Sequence, residues 1–382
     1  MNKRVTIVIP CLLTGGTEVQ TLYLARALKG PCEVSVIVLF EHEPSMVARF
    51  EAAGVPVVLL SPSGDRPAGT LGRFAFMFRK LLPAARRERP DIVHTQYMDP
   101  GALPIIALRM AGYRNILTTL HVPGHIYRHK QVPVMISRFF TRIFLTVSLA
   151  SEKSLFGKEG EFFSMDLFKK GRKHFTLHNC VDTGETESLR SASGGKEASA
   201  GPRIACISRL SYEKGIDILI EAMPLVLSKF PGATLTVAGD GSEGERLVNR
   251  CNELQVTSSV HWAGTVPREE ALKMLSGADI AVVPSRFEGF GLTAIEAMAL
   301  GTPVLASNTD GLAEIIRHGE TGWLFTSGDP AALADGVTEL WEQPELRKLI
   351  SGSALETVRD KYSMVKFRQS LLTIYESLFL NT

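Results

Sequence analysis

Short apolar runs of strand length alternate with longer amphipathic stretches along most of the chain. VTIVIP (residues 5–10), EVSVIVLF (33–40), VPVVLL (55–60), DIVHTQ (91–96), NILTTLHVPG (115–124), IFLTVSLAS (143–151) and FTLHNCVD (175–182) each read as a strand. Unbroken apolar runs bounded by turn residues suit strands buried on both faces of a parallel sheet. Between them, VQTLYLARALKG and VARFEAAG have helical spacing. GRFAFMFRKLLPAARRERP predicts one basic amphipathic helix carrying Arg73, Arg79, Lys80, Arg86, Arg87 and Arg89. IYRHKQVPVMISRFFTR (126–142) likewise mixes apolar residues with Arg128, Lys130, Arg138 and Arg142.

A second series begins at PRIACISRL and runs through SYEKGIDILIEAMPLVL, ATLTVAGDG, VHWAG, PREEALKMLSGA, IAVVP, LTAIEAMALG, TPVLAS, a helix from about Leu312, and TGWLF. Repeated strand–helix–strand units in both halves predict an α/β protein of two doubly wound domains with right-handed crossovers. The polar Ser/Gly/Ala-rich stretch TGETESLRSASGGKEASAG predicts a partly disordered linker over 183–201. The domains expected are therefore 1–182 and 202–363. The last helix, Met364–Phe379, gathers Phe367, Leu371, Ile374, Tyr375 and Leu378 on one face.

Composition adds little at the level of the whole chain: 382 residues, 45% hydrophobic and 21% charged, fit an ordinary globular protein of two or three domains. The halves differ more. Residues 1–182 hold 24 Lys and Arg against 14 Asp and Glu, and residues 183–382 hold 18 against 26. A basic half suggests an anionic surface or acceptor as partner. The five cysteines are scattered and form no paired motif, which fits reduced thiols and neither a disulfide framework nor a zinc site. The apolar run after MNKR is too short for a signal peptide, and no uncharged span reaches about 20 apolar residues. The expected location is the cytoplasm, with attachment to the inner face of the membrane as the further option.

The chemistry concentrates in IAVVPSRFEGFGLTAIEAMALGTP (280–303). A strand is stopped by Pro284. A tight loop with Gly289 and Gly291 follows, and then a helix closed by Gly301. Free N–H groups and the positive end of the helix dipole make that loop an anion site. Glu288 sits in the loop and Glu296 two turns into the helix. A ligand with both phosphates and hydroxyls accounts for acids beside an anion site, and a nucleotide sugar is such a ligand. Arg209 and Lys214 lie in ISRLSYEKG, where two cations at a strand-to-helix turn suit a diphosphate. Gly15 and Gly16 follow the first strand, with Glu18 near the helix start, and the spacing is not that of a dinucleotide fingerprint. His121 ends a strand, where open α/β sheets bind ligands. No Asp-x-Asp and no His/Cys cluster of ligand spacing occurs, so no metal and no other cofactor is expected.

The stretch 280–303 resembles the E-x7-E signature of the GT4-like retaining glycosyltransferases, also described as glycosyl transferases group 1. Glu288 and Glu296 match its acids, and Gly289-Phe290-Gly291 the turn between them. Arg209 and Lys214 match the family's R-x4-K pair, Gly239-Asp240-Gly241 its G-x-G turn, and His121 its strand-end histidine. HNCVD (178–182) resembles its H-N-G-V-D, with Cys180 where Gly is usual. The resemblance implies the GT-B fold, two doubly wound Rossmann-like domains facing across a cleft, with the last helix (about 364–382) packing back on the first. It implies an acceptor-binding first domain and a second that binds the nucleotide-sugar donor. Gly15 and Gly16 would face the sugar diphosphate, Val266 would read a uracil-like base, and Glu296 would hold the ribose. Glu288 and the amides through Gly289, Phe290, Gly291 and Leu292 would hold the sugar, with Arg209 and Lys214 on the diphosphate. The catalytic set implied is His121, Glu288, Arg209 and Lys214. The partners implied are a UDP-sugar donor and a glycan or lipid-linked acceptor in envelope polysaccharide synthesis. An anionic membrane surface is a further partner on composition, and nucleic acid is not one. The alternatives are a nucleotide-sugar epimerase on the same fold and a non-catalytic two-lobed binding protein. A retaining glycosidase fits poorly, because eight helical residues hold Glu288 and Glu296 about 12 Å apart.

Overall fold

The computed structural model describes residues 3–97, 102–124, 131–192 and 199–379. It divides into two compact units, Met1–Asn179 with Met364–Thr382, and Cys180–Ser363.

The first unit opens with β1 (Lys3–Ile9), α1 (Gly16–Leu28), β2 (Cys32–Val38), α2 (Pro44–Ala52) and β3 (Val57–Leu59). There follow α3 (Gly69–Phe76), a π-helical turn (Met77–Leu81), α4 (Leu82–Glu88), β4 (Ile92–Tyr97), α5 (Ala102–Met110) and β5 (Ile116–Leu120). It continues through α6 (Gln131–Phe139), β6 (Ile143–Thr146), α7 (Leu149–Phe156), α8 (Met165–Lys169) and β7 (His174–Thr176). The seven strands order β3-β2-β1-β4-β5-β6-β7, and every pairing is parallel. The chain reverses direction across the sheet between β1 and β4. The apolar runs are buried because helices cover both faces. On one face Val8, Ile37, Val93, Ile116 and Phe144 pack with Met77, Leu81, Ile105, Leu108 and Ile136 from the covering helices.

The second unit starts with α9 (Thr183–Ala192), then β8 (Arg203–Ile207), a 3-10 turn (Tyr212–Lys214), α10 (Ile216–Lys229), β9 (Thr234–Ala238) and α11 (Gly244–Glu253). Next come β10 (Val260–Gly264), α12 (Arg268–Gly277), β11 (Ile280–Val283), α13 (Leu292–Ala299), β12 (Val304–Ser307) and α14 (Asp310–Ile315). β13 (Trp323–Phe325), α15 (Pro330–Glu342), α16 (Pro344–Thr357) and a π-helical turn (Val358–Tyr362) complete it. Its six parallel strands order β10-β9-β8-β11-β12-β13, so the reversal falls between β8 and β11. The final helix, α17 (Met364–Phe379), belongs to the first unit, where it packs on α1 and buries Phe367, Leu371, Ile374, Tyr375 and Leu378.

Three sequence expectations need correction. The stretch expected as a linker from 183 begins as a helix. Asp182 Oδ1 accepts from the backbone N–H of Gly184 (3.1 Å) and Glu185 (3.4 Å), and Glu185 stands in the first turn. That is an N-cap followed by an acid three residues later, a helix-start signal that composition hid. Residues 193–198 of that expected linker lie outside the described residues. The basic stretch is not one regular helix. A π turn interrupts it just ahead of Pro83, whose ring leaves a carbonyl one turn back without an N–H. The strand read over 143–151 stops at Thr146, because Ser148 caps α7 by accepting from Ser151 N–H at 3.1 Å. Arg128 and Lys130 lie outside the described residues, as do 380–382.

The five cysteines are free and buried. Burial pushes the Cys206 thiol up to about 12 and the Cys251 thiol to about 11, so these are not nucleophiles. Among the described residues no helix is long and apolar enough to cross a membrane.

Candidate functional site

The second sheet reverses between β8 and β11, and ligands of such sheets bind beyond the strand ends at that point. Lys214 arrives there from the loop after β8, and Glu288 from the loop after β11. Lys214 Nζ donates to Glu288 Oε2 at 2.7 Å, and Ser285 Oγ donates to the same oxygen at 3.2 Å. The two loops are joined again by Arg286, whose N–H donates to Glu213 O at 2.8 Å. Its guanidinium forks onto both Asp217 oxygens at 2.7 and 2.8 Å and lies over the Tyr212 ring. Burial raises the Asp217 carboxyl, but the Arg286 hydrogen bonds outweigh it and hold it below its usual range. Arg209 is exposed and has no side-chain hydrogen bond or ion pair among the described residues.

Backbone fits tightly here, and glycine is what permits it. Gly215 ends the 3-10 turn at φ +63°, and a Cβ on it would stand 2.1 Å from Pro284 O. Gly239 takes φ +133°, and its Cβ would stand 1.9 Å from Ser208 O. No side chain fits either position. Gly239 N–H also donates to Gly264 O at 2.7 Å, which ties the β9 and β10 loops together, with Val266 two residues further on. α13 starts at Leu292 behind the loop Gly289-Phe290-Gly291, its N-cap Gly291 offering no side chain, and Asp310 Oδ2 accepts from Glu288 N–H in that loop at 3.4 Å. Glu288 O is held by Gly311 N–H at 3.1 Å, which fixes the loop from behind. Glu296 pairs with Arg268, and Arg268 also reaches Glu185 of α9 at 3.4 Å. The structure thus joins Lys214 to Glu288 directly, and gives Glu296 a partner of its own.

The sequence reading missed Arg286, Asp217, Ser285, Arg268 and Glu185. Arg286 and Asp217 are 69 residues apart, so no local spacing announces them. The basic residue opening PREEALKMLSGA was the visible signal for Arg268.

In the first unit, Gly15 precedes α1 with extended backbone and Gly16 opens the helix. The buried Glu18 carboxylate fills the space beside Gly15, where a Cβ would stand 2.6 Å from Glu18 Oε2. An acid at a helix start is favourable, and this one stands at the helix end where a phosphate was expected. His121 follows β5 directly, half-buried, with Nε2 2.6 Å from Gln96 Oε1. Burial lowers its imidazole to about 4, so it is neutral near pH 7. His94 lies in the middle of β4, fully buried between Tyr375 OH (2.8 Å) and Thr119 Oγ1 (2.7 Å), and is a core histidine.

Comparison with known proteins agrees along the chain. The model for glycosyl transferases group 1 matches residues 193–356, and that for glycosyltransferase family 4 matches residues 14–152. The chain is 35% identical to a glycogen synthase of Mycobacterium tuberculosis over 299 residues, 73% of this chain and 68% of that protein. It is 37% identical over 174 residues to an uncharacterised glycosyltransferase of Methanocaldococcus jannaschii, a match spanning 45% of this chain and 44% of that protein's length. The crystal structure of Anabaena HepE in complex with UDP and glucose superposes with a TM-score of 0.79 at 20% identity, over 98% of this chain and 100% of that one.

Proposed function

Because the chain belongs to the group 1, GT4-type glycosyltransferases with the GT-B fold, we propose that it is a retaining hexosyltransferase using a UDP-sugar. The observation that carries this is the ion pair Lys214–Glu288 at the reversal point of the second sheet, beside the start of α13. A cation, an acid and the positive end of a helix together suit a ligand carrying diphosphate and hydroxyls. HepE, similar in fold, was crystallised with UDP and glucose, which supports the uridine nucleotide.

On this reading Arg209, Lys214 and the α13 N-terminus take the diphosphate, and no metal is required. When the donor enters, Lys214 turns to phosphate and Glu288 is released to accept from sugar hydroxyls. Glu288 N–H through Leu292 frame the sugar, Glu296 holds the ribose, and Gly239 and Val266 border the nucleotide. The first unit serves the acceptor and the transferred sugar through Gly15, Gly16 and His121. Transfer breaks the bond from the anomeric carbon to the diphosphate oxygen and forms one to the acceptor oxygen on the same face. The acceptor proton passes to the leaving phosphate, whose growing charge the two cations stabilise. His121, neutral by burial, orients hydroxyls and is not a proton donor.

The acceptor class we propose is a glycan or lipid-linked glycan of envelope synthesis, met at the inner membrane face in the cytoplasm. Exposed Leu71, Phe78, Met135 and Phe139 stand among Arg79, Lys80 and Arg138, and residues 100–151 contain no Asp or Glu. Each cation contributes about 1 kcal/mol near anionic lipid. Product analysis tests the reaction itself. UDP-glucose and a glycan acceptor should yield UDP and an α-linked product only when both are present. An isomerised nucleotide sugar without acceptor would instead make the chain an epimerase.

A further inference from the structure

Gln96 is at the end of β4, and in the register of the sheet it lies opposite Thr119, two residues before His121. It is 3% exposed. Its Oε1 lies 2.6 Å from His121 Nε2, and its Nε2 has no hydrogen-bond partner among the described residues. Leaving a buried amide N–H unpaired is costly, and cores seldom tolerate it. The neighbouring polar groups do not share this defect: His94 uses both ring nitrogens, and Thr95 Oγ1 meets Thr118 Oγ1 at 2.7 Å. Methionine would fill the same space without an orphan. The glutamine oxygen therefore has a purpose, and among the described residues its one partner is His121.

A carboxamide oxygen only accepts, so His121 must carry a proton on Nε2 to make this bond. Burial keeps the ring neutral, so there is one proton and Nδ1 keeps its lone pair. We propose that Gln96 is a positioning residue that locks His121 as the Nε2–H tautomer, leaving Nδ1 to accept a hydrogen bond from a substrate hydroxyl. This rests on the reading above that His121 serves the transfer. A ring held on one edge also cannot swing, which matters where a displacement near 1 Å costs about 10²-fold in rate. Among the described residues the other titratable groups packed here are His94 on β4 and Tyr375 on α17. Both are fully buried, with His94 lowered and Tyr375 raised by burial, so both are neutral near pH 7. Among the described residues no charged side chain contributes to the His121 shift.

Full-length wild type, Gln96→Met and Gln96→Glu test this, by imidazole nitrogen NMR without substrate and by kinetics. Wild type should show His121 as Nε2–H. Gln96→Met should mix the tautomers and lower kcat by up to about 10²-fold, with Tm held and UDP binding unchanged. Gln96→Glu keeps the acceptor and adds a charge, so His121 should titrate well above about 4 and kcat should acquire a pH dependence that wild type lacks. An Nδ1–H tautomer in wild type overturns the proposal, as does an unchanged tautomer in Gln96→Met. A tautomer change with wild-type kcat would show that the lock has no catalytic purpose, and overturns it too. Wild type that transfers no sugar would sink the functional reading instead, and the spectra alone would still decide the lock.

Discussion

At the strand ends of the first unit the polar side chains are neutral or enclosed, whereas at those of the second they are charged and partly open. His94, Gln96, Thr119 and Tyr375 hold one another by uncharged hydrogen bonds, and His121 is kept neutral by burial. The carboxylates inside the first unit are enclosed, as Glu18 is beside Cys11 and Gly15. Glu152 of α7 is fully buried and takes Arg172 and His174 at 2.7 Å, Thr176 Oγ1 at 2.8 Å and Glu161 N–H at 3.0 Å. In the second unit Lys214–Glu288 and Arg268–Glu296 are ion pairs within reach of solvent. A buried pair is difficult to open, because each ion would be stranded without water. A partly exposed pair exchanges partners at little cost. The same topology thus supports a frame of enclosed polar groups in one unit and a set of exchangeable charges in the other.

The contrast breaks first on stability. Glu152→Ala should destabilise the first unit by about 3–5 kcal/mol, the cost of removing one partner from a buried ion cluster. UDP binding, proposed above for the second unit, should survive. Chemical denaturation beside nucleotide titration reads both, and nucleotide affinity falling in step with stability would erase the distinction. Next in size, Lys214→Ala, Arg209→Ala and Glu288→Gln should each cost roughly 2–4 kcal/mol in kcat/KM, the scale of a preorganised charge, with Tm almost unmoved. The losses, and wild-type activity, should be the same in EDTA. Activity abolished by chelation and restored by magnesium would require a metal on the diphosphate.

Glu296→Ala should weaken UDP by about 1.5–3 kcal/mol, the worth of hydrogen bonds to a charged group, measured by calorimetry. Unchanged affinity would leave Glu296 as a partner of Arg268 alone. The smallest effect concerns pH. The unfolded chain protonates His121 at 6.5 and the folded one only at about 4. The unfolded state therefore binds the extra proton in between, and stability falls as pH drops from 6.5 to 4. Glu152 continues the trend at lower pH. Burial raises its carboxyl, but His174 and Arg172 outweigh that and set it below 4.5, so its contribution is lost as acid protonates it. kcat should stay flat through neutral pH, and an acid limb near 6.5 would contradict a neutral His121.

The second unit was more legible than the first for a physical reason. Its candidate site is made of loops whose residues lie close in sequence: Arg209 with Lys214, and Glu288 through Leu292, set off by glycines that the backbone requires. Its strands and helices also followed the apolar pattern closely, as with Val260–Gly264 and Ile280–Val283. What remained hidden depends on long-range contact. Nothing near His94 announces Tyr375, 281 residues away, and nothing near Glu152 announces Arg172 and His174. Asp182 with Glu185 was a readable helix start, and the Ser/Gly-rich composition after it outweighed that signal.

The central claim is that the exchangeable charges of the second unit form a nucleotide-sugar site. A thermal-shift series over nucleoside diphosphate sugars, on wild type and Lys214→Ala side by side, tests it most directly. A ligand at a hundredfold above its Kd stabilises by about 2.7 kcal/mol. The expected result is a clear rise in Tm with a UDP-sugar for wild type, and a much smaller one for Lys214→Ala at equal concentration. No shift with any nucleotide sugar, or the same shift in both proteins, would contradict a donor site at Lys214 and Glu288.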